Sequence, residues 1–217
     1  MNIEQARFNM IEQQIRPWDV LDLGVLDLLA VVKREDFVPP LHRALAFVDT
    51  EVPLPGGQCM LAPKVEARLL QELAVRKHER VLEIGAGSGY MAALLAHRAQ
   101  QVTSLEIDAD LAAFASTNLK RAGVMNATVL NVDGAQGLAA EGPFDAIVLS
   151  GSVAEVPEAI LSQLKVGGRL AAIVGGEPVM RALLITRTEQ RGLERRVLFD
   201  TAAQRLRHFP EPTRFHF

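Results

Sequence analysis

A short apolar strand that runs straight into three alternating glycines constrains this chain more than any other feature: Val81-Leu82-Glu83-Ile84-Gly85-Ala86-Gly87-Ser88-Gly89-Tyr90. Such a segment turns sharply at the carboxyl end of a strand and enters a helix. The bare backbone at Gly85, Gly87 and Gly89 admits positive φ and close approach by a ligand, and the free N–H groups of the helix start face the same crevice. The spacing departs from the dinucleotide pattern G-x-G-x-x-G, which needs glycine where Tyr90 stands. Glu83, two residues before the first glycine, would lie against a doubly charged pyrophosphate. It suits a ligand whose reactive end is cationic. Glycines after a strand also serve tight packing, so the neighbouring segments decide.

Those segments read as a βαβ unit: strand Arg80 to Ile84, helix Ser88 to His97, strand Gln101 to Leu105 ending in Glu106. Ligands of open parallel sheets bind beyond the carboxyl ends of the strands, where the Glu106 carboxylate can accept both hydroxyls of a ribose. The competing reading is a solvated acid, with Asp108 or Asp110 capping the next helix. A third strand, Ala127 to Asn131, leads to Asp133-Gly134, an acid for an adenine amino group beside a glycine that leaves room for the ring. Asp-Gly is also a common turn pair. The cofactor expected from these groups is S-adenosyl-L-methionine, with a sulfonium and an ammonium. Its expected contacts are Glu83, Gly85, Ala86, Gly87, Gly89, Glu106, Ile107, Asp133, Gly134 and Ser150.

At 217 residues and 49% hydrophobic content, the chain can bury one good core, and a single domain is expected: residues 1–63 as a helical and substrate-loop extension, 64–217 as a cofactor-binding core. A net charge of −3 supplies no field toward polyanions, so neither nucleic acid nor a membrane surface is an expected partner. No run approaches the roughly 18 apolar residues of a membrane span, and Glu4, Arg7 and Glu12 interrupt any signal-peptide core, so a cytoplasmic location is expected. One cysteine, Cys59, and five scattered histidines argue against a disulfide framework or a metal site.

Along the chain, Ile3 to Arg16 has helical periodicity with Phe8, Ile11 and Ile15 on one face, and Leu21 to Lys33 is a second amphipathic helix. Phe37-Val38-Pro39-Pro40 cannot continue a helix, and Val52 to Gln58 is an extended, turn-rich loop. A helix from about Lys64 to Leu73 follows. After the βαβ unit, Leu111, Ala115 and Leu119 form a stripe for packing on the sheet, and Phe144 to Leu149 reads as a buried central strand. Pro157 suits the first turn of a helix through Leu164 that Gly167-Gly168 closes, with Leu170 to Val174 as the fifth strand. Ala182 to Thr188 and Arg195 to Phe199 read as an antiparallel hairpin turning around Arg191-Gly192. This is the order of an α/β class I methyltransferase: a Rossmann-like sheet closed by a terminal hairpin and preceded by a helical extension.

Several stretches together resemble the protein-L-isoaspartate O-methyltransferase family over nearly the whole chain: Arg34 to Pro39, Pro53-Leu54-Pro55 with Gly57-Gln58, Val81 to Tyr90, Phe144 to Val148, and Leu164 to Leu170. The resemblance implies methyl esterification of an isoaspartyl residue in a peptide or protein, with Gln58, Cys59 and Leu61 in the substrate loop. In the family that loop carries a serine counted as the active-site residue; here its position holds Leu61, so no catalytic side chain is assigned. An isoaspartyl carboxylate is already ionised at neutral pH, and methyl transfer to it needs alignment and partial loss of water rather than a base. Ser150-Gly151-Ser152 and the segment Phe209 to Phe217 also depart from the family pattern. Two alternatives stay open: the same fold acting on another acceptor, such as a small carboxylate, phenol or amine, and a cofactor-binding protein without turnover. Base N-methylation is disfavoured because Leu149-Ser150-Gly151-Ser152 lacks an Asp/Asn-Pro-Pro-aromatic run, and cytosine C5 chemistry because Cys59 follows glutamine rather than proline. Cys59 reads as a packed thiol, and Arg191, Arg195, Arg196, Arg205, Arg207 and Arg214 as a solvated face. Oligomeric state has no signature in the sequence.

Overall fold

The computed structural model describes residues 2–188 and 192–211. Helix α1 (Ile3–Met10) starts where the Asn2 side chain accepts the Gln5 N–H at 3.2 Å. It does not run to Arg16 as one α-helix: Ile11–Ile15 widens to a π-helix and Arg16–Trp18 tightens to a 3-10 turn. The wider turn rotates the buried face, so Met10, Ile11 and Ile15 face the core while Phe8, expected there, is 57% exposed. Helix α2 (Leu23–Val31) is shorter than the expected Leu21 to Lys33, because Asp22 caps its start and Val32 is extended. The stretch around Pro39-Pro40 breaks the α-helix but holds 3-10 helix on either side, Arg34–Asp36 and Pro40–Phe47, since proline fits a first turn.

The expected extended loop is a hairpin, β1 (Val52–Leu54) antiparallel to β2 (Gln58–Met60), with Pro53 opposite Cys59. Its turn needs Gly56 and Gly57 at φ 67° and 70°. There follow α3 (Pro63–Leu73), β3 (Arg80–Ile84), α4 (Tyr90–Ala96), β4 (Gln101–Glu106), α5 (Ala109–Arg121) and β5 (Ala127–Asn131). Beyond them lie β6 (Phe144–Val153), α6 (Glu158–Leu161), β7 (Leu164–Gly176), β8 (Val179–Arg187) and β9 (Leu193–Thr201). Several expected bounds shift: β4, β6, β7 and β9 run longer than expected, β8 spans Val179–Arg187 instead of Ala182 to Thr188, and two further helix ends move. α4 begins at Tyr90 rather than Ser88, because Gly89 is left-handed at φ 82°. α6 ends at Leu161 instead of Leu164, which pairs with Phe144 at the start of β7. Gly167 and Gly168 therefore sit inside an irregular strand instead of capping a helix; a Cβ on Gly168 would lie 2.8 Å from the Lys165 carbonyl.

Seven strands form one sheet in the order β5-β4-β3-β6-β7-β8-β9, parallel through β7 and antiparallel thereafter. The fold is that of a class I methyltransferase with a terminal hairpin. Of the expected turn, Arg191 lies outside the described residues; Gly192 accepts the Thr188 N–H at 2.9 Å. The central strands are largely apolar because both faces are covered: Ala146 and Val148 pack with the N-terminal helices, α3 and α4, while Ile147 and Leu149 pack with Ile160, Leu161 and Phe209. Asp145, the polar break near the start of β6, accepts the Arg80 N–H at 2.8 Å and pairs with Lys165. After β9 the chain crosses the carboxyl ends of the strands: Ser152 donates its N–H to Gln204, Leu206 donates to Ser152, and Ser152 bridges Arg205. Among the described residues, no helix is long and apolar enough to cross a membrane.

Candidate active site

A cleft of about 520 Å³ opens at the carboxyl ends of β3, β4 and β6 and past the end of β5. Gly85, Gly87 and Gly89 all have positive φ, at 94°, 52° and 82°, and the turn is clipped to β4 by Gly85 and Ala86 N–H groups on the Leu105 carbonyl. Glu106 ends β4 6% exposed; one oxygen accepts the Gly87 N–H at 2.8 Å, the other the Asp108 N–H at 3.1 Å. Asp108 itself caps α5, as the competing reading of this segment expected, while Glu106 remains on the cleft wall with Ile107. Gly134 presses on β3 so closely that a Cβ would lie 2.4 Å from the Ile84 side chain. Asp133 lines the same cleft, with Oδ1 on the Ala135 N–H and Oδ2 2.7 Å from His208 Nδ1. These contacts, the Ala135 N–H first, hold its carboxyl below the usual range.

Glu83 stands apart from these two acids. It is fully buried, with Oε2 taking the Ser104 hydroxyl at 2.6 Å and Oε1 the Ser150 hydroxyl at 2.8 Å. Burial outweighs both hydrogen bonds and pushes its carboxyl up to about 8. With Ala86 and Ser150 it lines a smaller cavity between the glycine turn and the hairpin. Leu61 and Met60 form the hairpin side of that cavity, Glu66 and Tyr90 part of its wall.

The hairpin is anchored from below by a buried cluster. Arg34, 0% exposed, is ion-paired to Glu66, donates to the Leu61 carbonyl at 2.8 Å and stacks 5.2 Å from the Tyr90 ring. Burial pushes the Glu66 carboxyl up to about 7 while Arg34 pulls the other way. Leu61 is thus 6% exposed, its backbone tied down and its side chain facing the cavity. Cys59 donates its thiol to Gln204 Oε1 at 2.8 Å, and burial, reinforced by the Glu51 carboxylate, pushes that thiol up to about 11, so it is un-ionised at neutral pH.

From above, the segment after β9 closes over the cleft. Gln204 donates to the Gly57 carbonyl at 2.6 Å, and Arg207 donates to the Gly56 carbonyl at 2.8 Å and, with the Gln58 amide oxygen turned toward it, to Gln58 at 2.9 Å. Leu206, Arg207 and Phe209 line the cleft. Arg207 therefore leaves the expected solvated series: its guanidinium is committed to the hairpin at the cleft mouth. Arg196 and Arg205 form surface pairs with Glu72 and Glu211, Arg195 is exposed, and Arg191 and Arg214 lie outside the described residues. Sequence reasoning missed Arg34, Glu66, Gln204, Leu206 and His208. The one available signal was a charge at Glu66 inside an otherwise apolar helix face. Among the described residues no three His, Cys, Asp or Glu side chains gather as a metal site.

The sequence profile of the protein-L-isoaspartate(D-aspartate) O-methyltransferase family matches residues 5–201. A protein-L-isoaspartate O-methyltransferase of Koribacter versatilis is 38% identical over 194 residues, 89% of this chain and 87% of its own. One of Methanoculleus marisnigri is 40% identical over 187 residues, 86% and 85% of the two chains. A solved protein-L-isoaspartate O-methyltransferase superposes with a TM-score of 0.77 at 25% identity, covering 91% of this chain and 65% of that one. A Plasmodium falciparum structure assigned the same activity and complexed with S-adenosyl-L-homocysteine shares the fold, with a TM-score of 0.76 at 24% identity over 91% and 96% of the chains. With a match spanning the hairpin, the glycine turn and every strand of the sheet, this chain belongs to the protein-L-isoaspartate(D-aspartate) O-methyltransferase family.

Proposed function

We propose that the protein is an S-adenosyl-L-methionine-dependent methyltransferase that esterifies the side-chain carboxylate of isoaspartyl residues in peptides or proteins. The observation that carries this reading is the alignment of Glu106 and Asp133 at successive strand ends beside a side-chain-free turn, on one wall of one cleft. The donor set fits the cofactor. Each Glu106 oxygen accepts one backbone N–H, which leaves lone pairs for ribose hydroxyls. Gly87 carries no side chain where a Cβ would already approach Leu54 at 3.2 Å, and Ile84, Leu105 and Ile107 supply apolar walls for a base. When bound, the cofactor supplies an electrophilic methyl group on a cationic sulfonium. The chain's own part is orientation and exclusion of water: the hairpin and the segment Gln204 to Phe209 roof the cleft, and the acceptor carboxylate is aligned where the cleft meets the smaller cavity.

The same reading treats 1–63 and 64–217 as one domain, supported by an apolar cluster that contains residues of both, from Met10, Ile15 and Phe47 to Leu69, Val148 and Ala203. A second reading, methylation of another acceptor, is favoured by Leu61, which offers no hydrogen bond to a carboxylate. Incubation with labelled cofactor and an isoaspartyl peptide, beside its aspartyl isomer, tests both. Base-labile methyl ester on the isoaspartyl peptide alone supports the first; cofactor binding without transfer to either peptide overturns it.

A further inference from the structure

Four residues line both the cofactor cleft and the smaller cavity: Cys59, Gly85, Gly87 and Ser150. The junction between them is where a methyl donor and its acceptor meet in the functional reading above, on which this inference rests. The two glycines bring no side chain there. The Cys59 thiol is a weak donor and is directed to Gln204 at 2.8 Å. Ser150 is thus the one hydroxyl at the junction, half-buried at the bend of β6. Most of the smaller cavity beyond the junction is unfavourable to an anionic acceptor: Met60, Leu61 and Met91 are apolar, and Glu66 and Glu83 are carboxyl groups. Ser88 and Tyr90 also carry hydroxyls, but they line only this cavity and not the cofactor cleft, so neither stands at the junction.

We propose that Ser150 is the hydroxyl that orients the acceptor carboxylate, with Glu83 behind it setting the direction of its proton. Glu83 is held in turn by Ser104 on β4, so the chain Ser104–Glu83–Ser150 has distances of 2.6 and 2.8 Å and ends at the junction. In the structure the Ser150 hydroxyl donates to Glu83; a neutral Glu83 reverses that bond, donating its own proton to the Ser150 oxygen and leaving the Ser150 hydrogen free for the acceptor. An ionised Glu83 takes that hydrogen for itself and places a negative charge behind the acceptor. The other ionisable groups facing Glu83 are Glu66 from α3, neutralised by Arg34, and Glu106 from the end of β4. Both favour the neutral form of Glu83 as carboxylates, and burial does the same. Ser150 is a specificity device: it admits an acceptor that can accept a hydrogen bond and holds it short of the two carboxyl groups.

The test uses the full chain with an isoaspartyl peptide, reading kcat and KM across pH, and cofactor affinity by calorimetry. Ser150→Ala is expected to raise the peptide KM about tenfold to a hundredfold, the loss of a hydrogen bond to a charged group, while cofactor affinity falls by much less. Ser150→Thr is expected to recover most of the loss. The double variant Ser150→Ala/Leu61→Ser places a hydroxyl on another lining position of the same cavity and is expected to recover part of it. In the unmodified protein the peptide KM is expected to rise toward alkaline pH, and in Ser150→Ala that rise is expected to flatten. An unchanged KM in Ser150→Ala, or cofactor affinity falling as much as peptide affinity, overturns the assignment. An unmodified protein that binds cofactor but esterifies no isoaspartyl peptide overturns the functional reading, and this assignment with it.

Discussion

His208 Nδ1 lies 2.7 Å from Asp133 Oδ2 and ties the segment after the last strand to the acid at the end of the third cofactor-facing strand. Because His208 adopts φ 63°, which costs a non-glycine residue backbone strain, the chain holds this latch against a local preference. The side chains are 63% and 46% exposed, so the pair is screened and contributes little to global stability. Its effect is local. His208→Ala is expected to cost less than about 1 kcal/mol of unfolding free energy. It is also expected to speed hydrogen exchange at the Leu206 amide, which bonds the Ser152 carbonyl, without changing β3 or β4. Exchange mass spectrometry checks this; uniform protection across 203–211 in the variant would remove the latch.

Glu106→Ala is expected to weaken cofactor binding by about 1.5 to 3 kcal/mol, since a charged acceptor is lost and the Gly87 N–H it holds is left without a partner. Gly87→Val is expected to be worse: its φ of 52° is strained for a branched residue, and its Cβ would already press on Leu54. Calorimetric titration with S-adenosyl-L-methionine measures both.

Leu61→Ser is expected to raise isoaspartyl methylation about twofold to tenfold, the value of one added neutral hydrogen bond. The exchange has a structural cost, because Leu61 is 6% exposed and its removal leaves a gap worth about 2 to 4 kcal/mol. Initial rates and a denaturant melt on the same sample separate the two effects. Lower activity in a fully folded variant would show that the apolar wall itself is required.

Glu83 makes stability depend on pH in a specific direction. Its carboxyl is raised from 4.5 to about 8, so on raising pH the unfolded chain releases this proton first and unfolding becomes progressively easier between those values. Glu83→Gln removes the titration. The melting temperature of the variant relative to the unmodified protein is therefore expected to climb between pH 5 and about 8 and then level off. A constant difference across that window would mean Glu83 is already ionised in the fold.

Arg34 and Glu66 are fully buried partners. Arg34→Met is expected to destabilise by about 3 to 5 kcal/mol, as it leaves an uncompensated carboxyl, whereas Arg34→Met/Glu66→Leu is expected to be far milder. Urea unfolding of both variants decides; equal losses would place the energy in the Arg34 bond to the Leu61 carbonyl.

The strand-turn-helix at Val81 to Tyr90 and the acids at Glu106 and Asp133 were legible because each depends on neighbours in sequence: a short apolar run buried along its length, glycine at positive φ, a carboxylate at or just past a strand end. Bounds of β3 and β5 follow from the same local physics and match residue for residue. Bounds failed where a distant partner overrode the local preference. Leu164 leaves a helical context to pair with Phe144, and the π-helical turn at Ile11 to Ile15 swings Phe8 into solvent.

The order of strands and helices, the glycine turn and its acids are written in the chain itself, since alternation, breaker residues and strand-end charges act over a few residues. The roof of the cleft is not. Cys59 meets Gln204 across 145 positions, Arg207 meets Gly56 across 151, and Arg34 reaches Leu61 across 27, and no pattern in the sequence marks these as neighbours. Tertiary structure alone decides them, because the sheet must first close and carry the last segment over its carboxyl edge before those polar groups, losing water as they pack, find partners in one another.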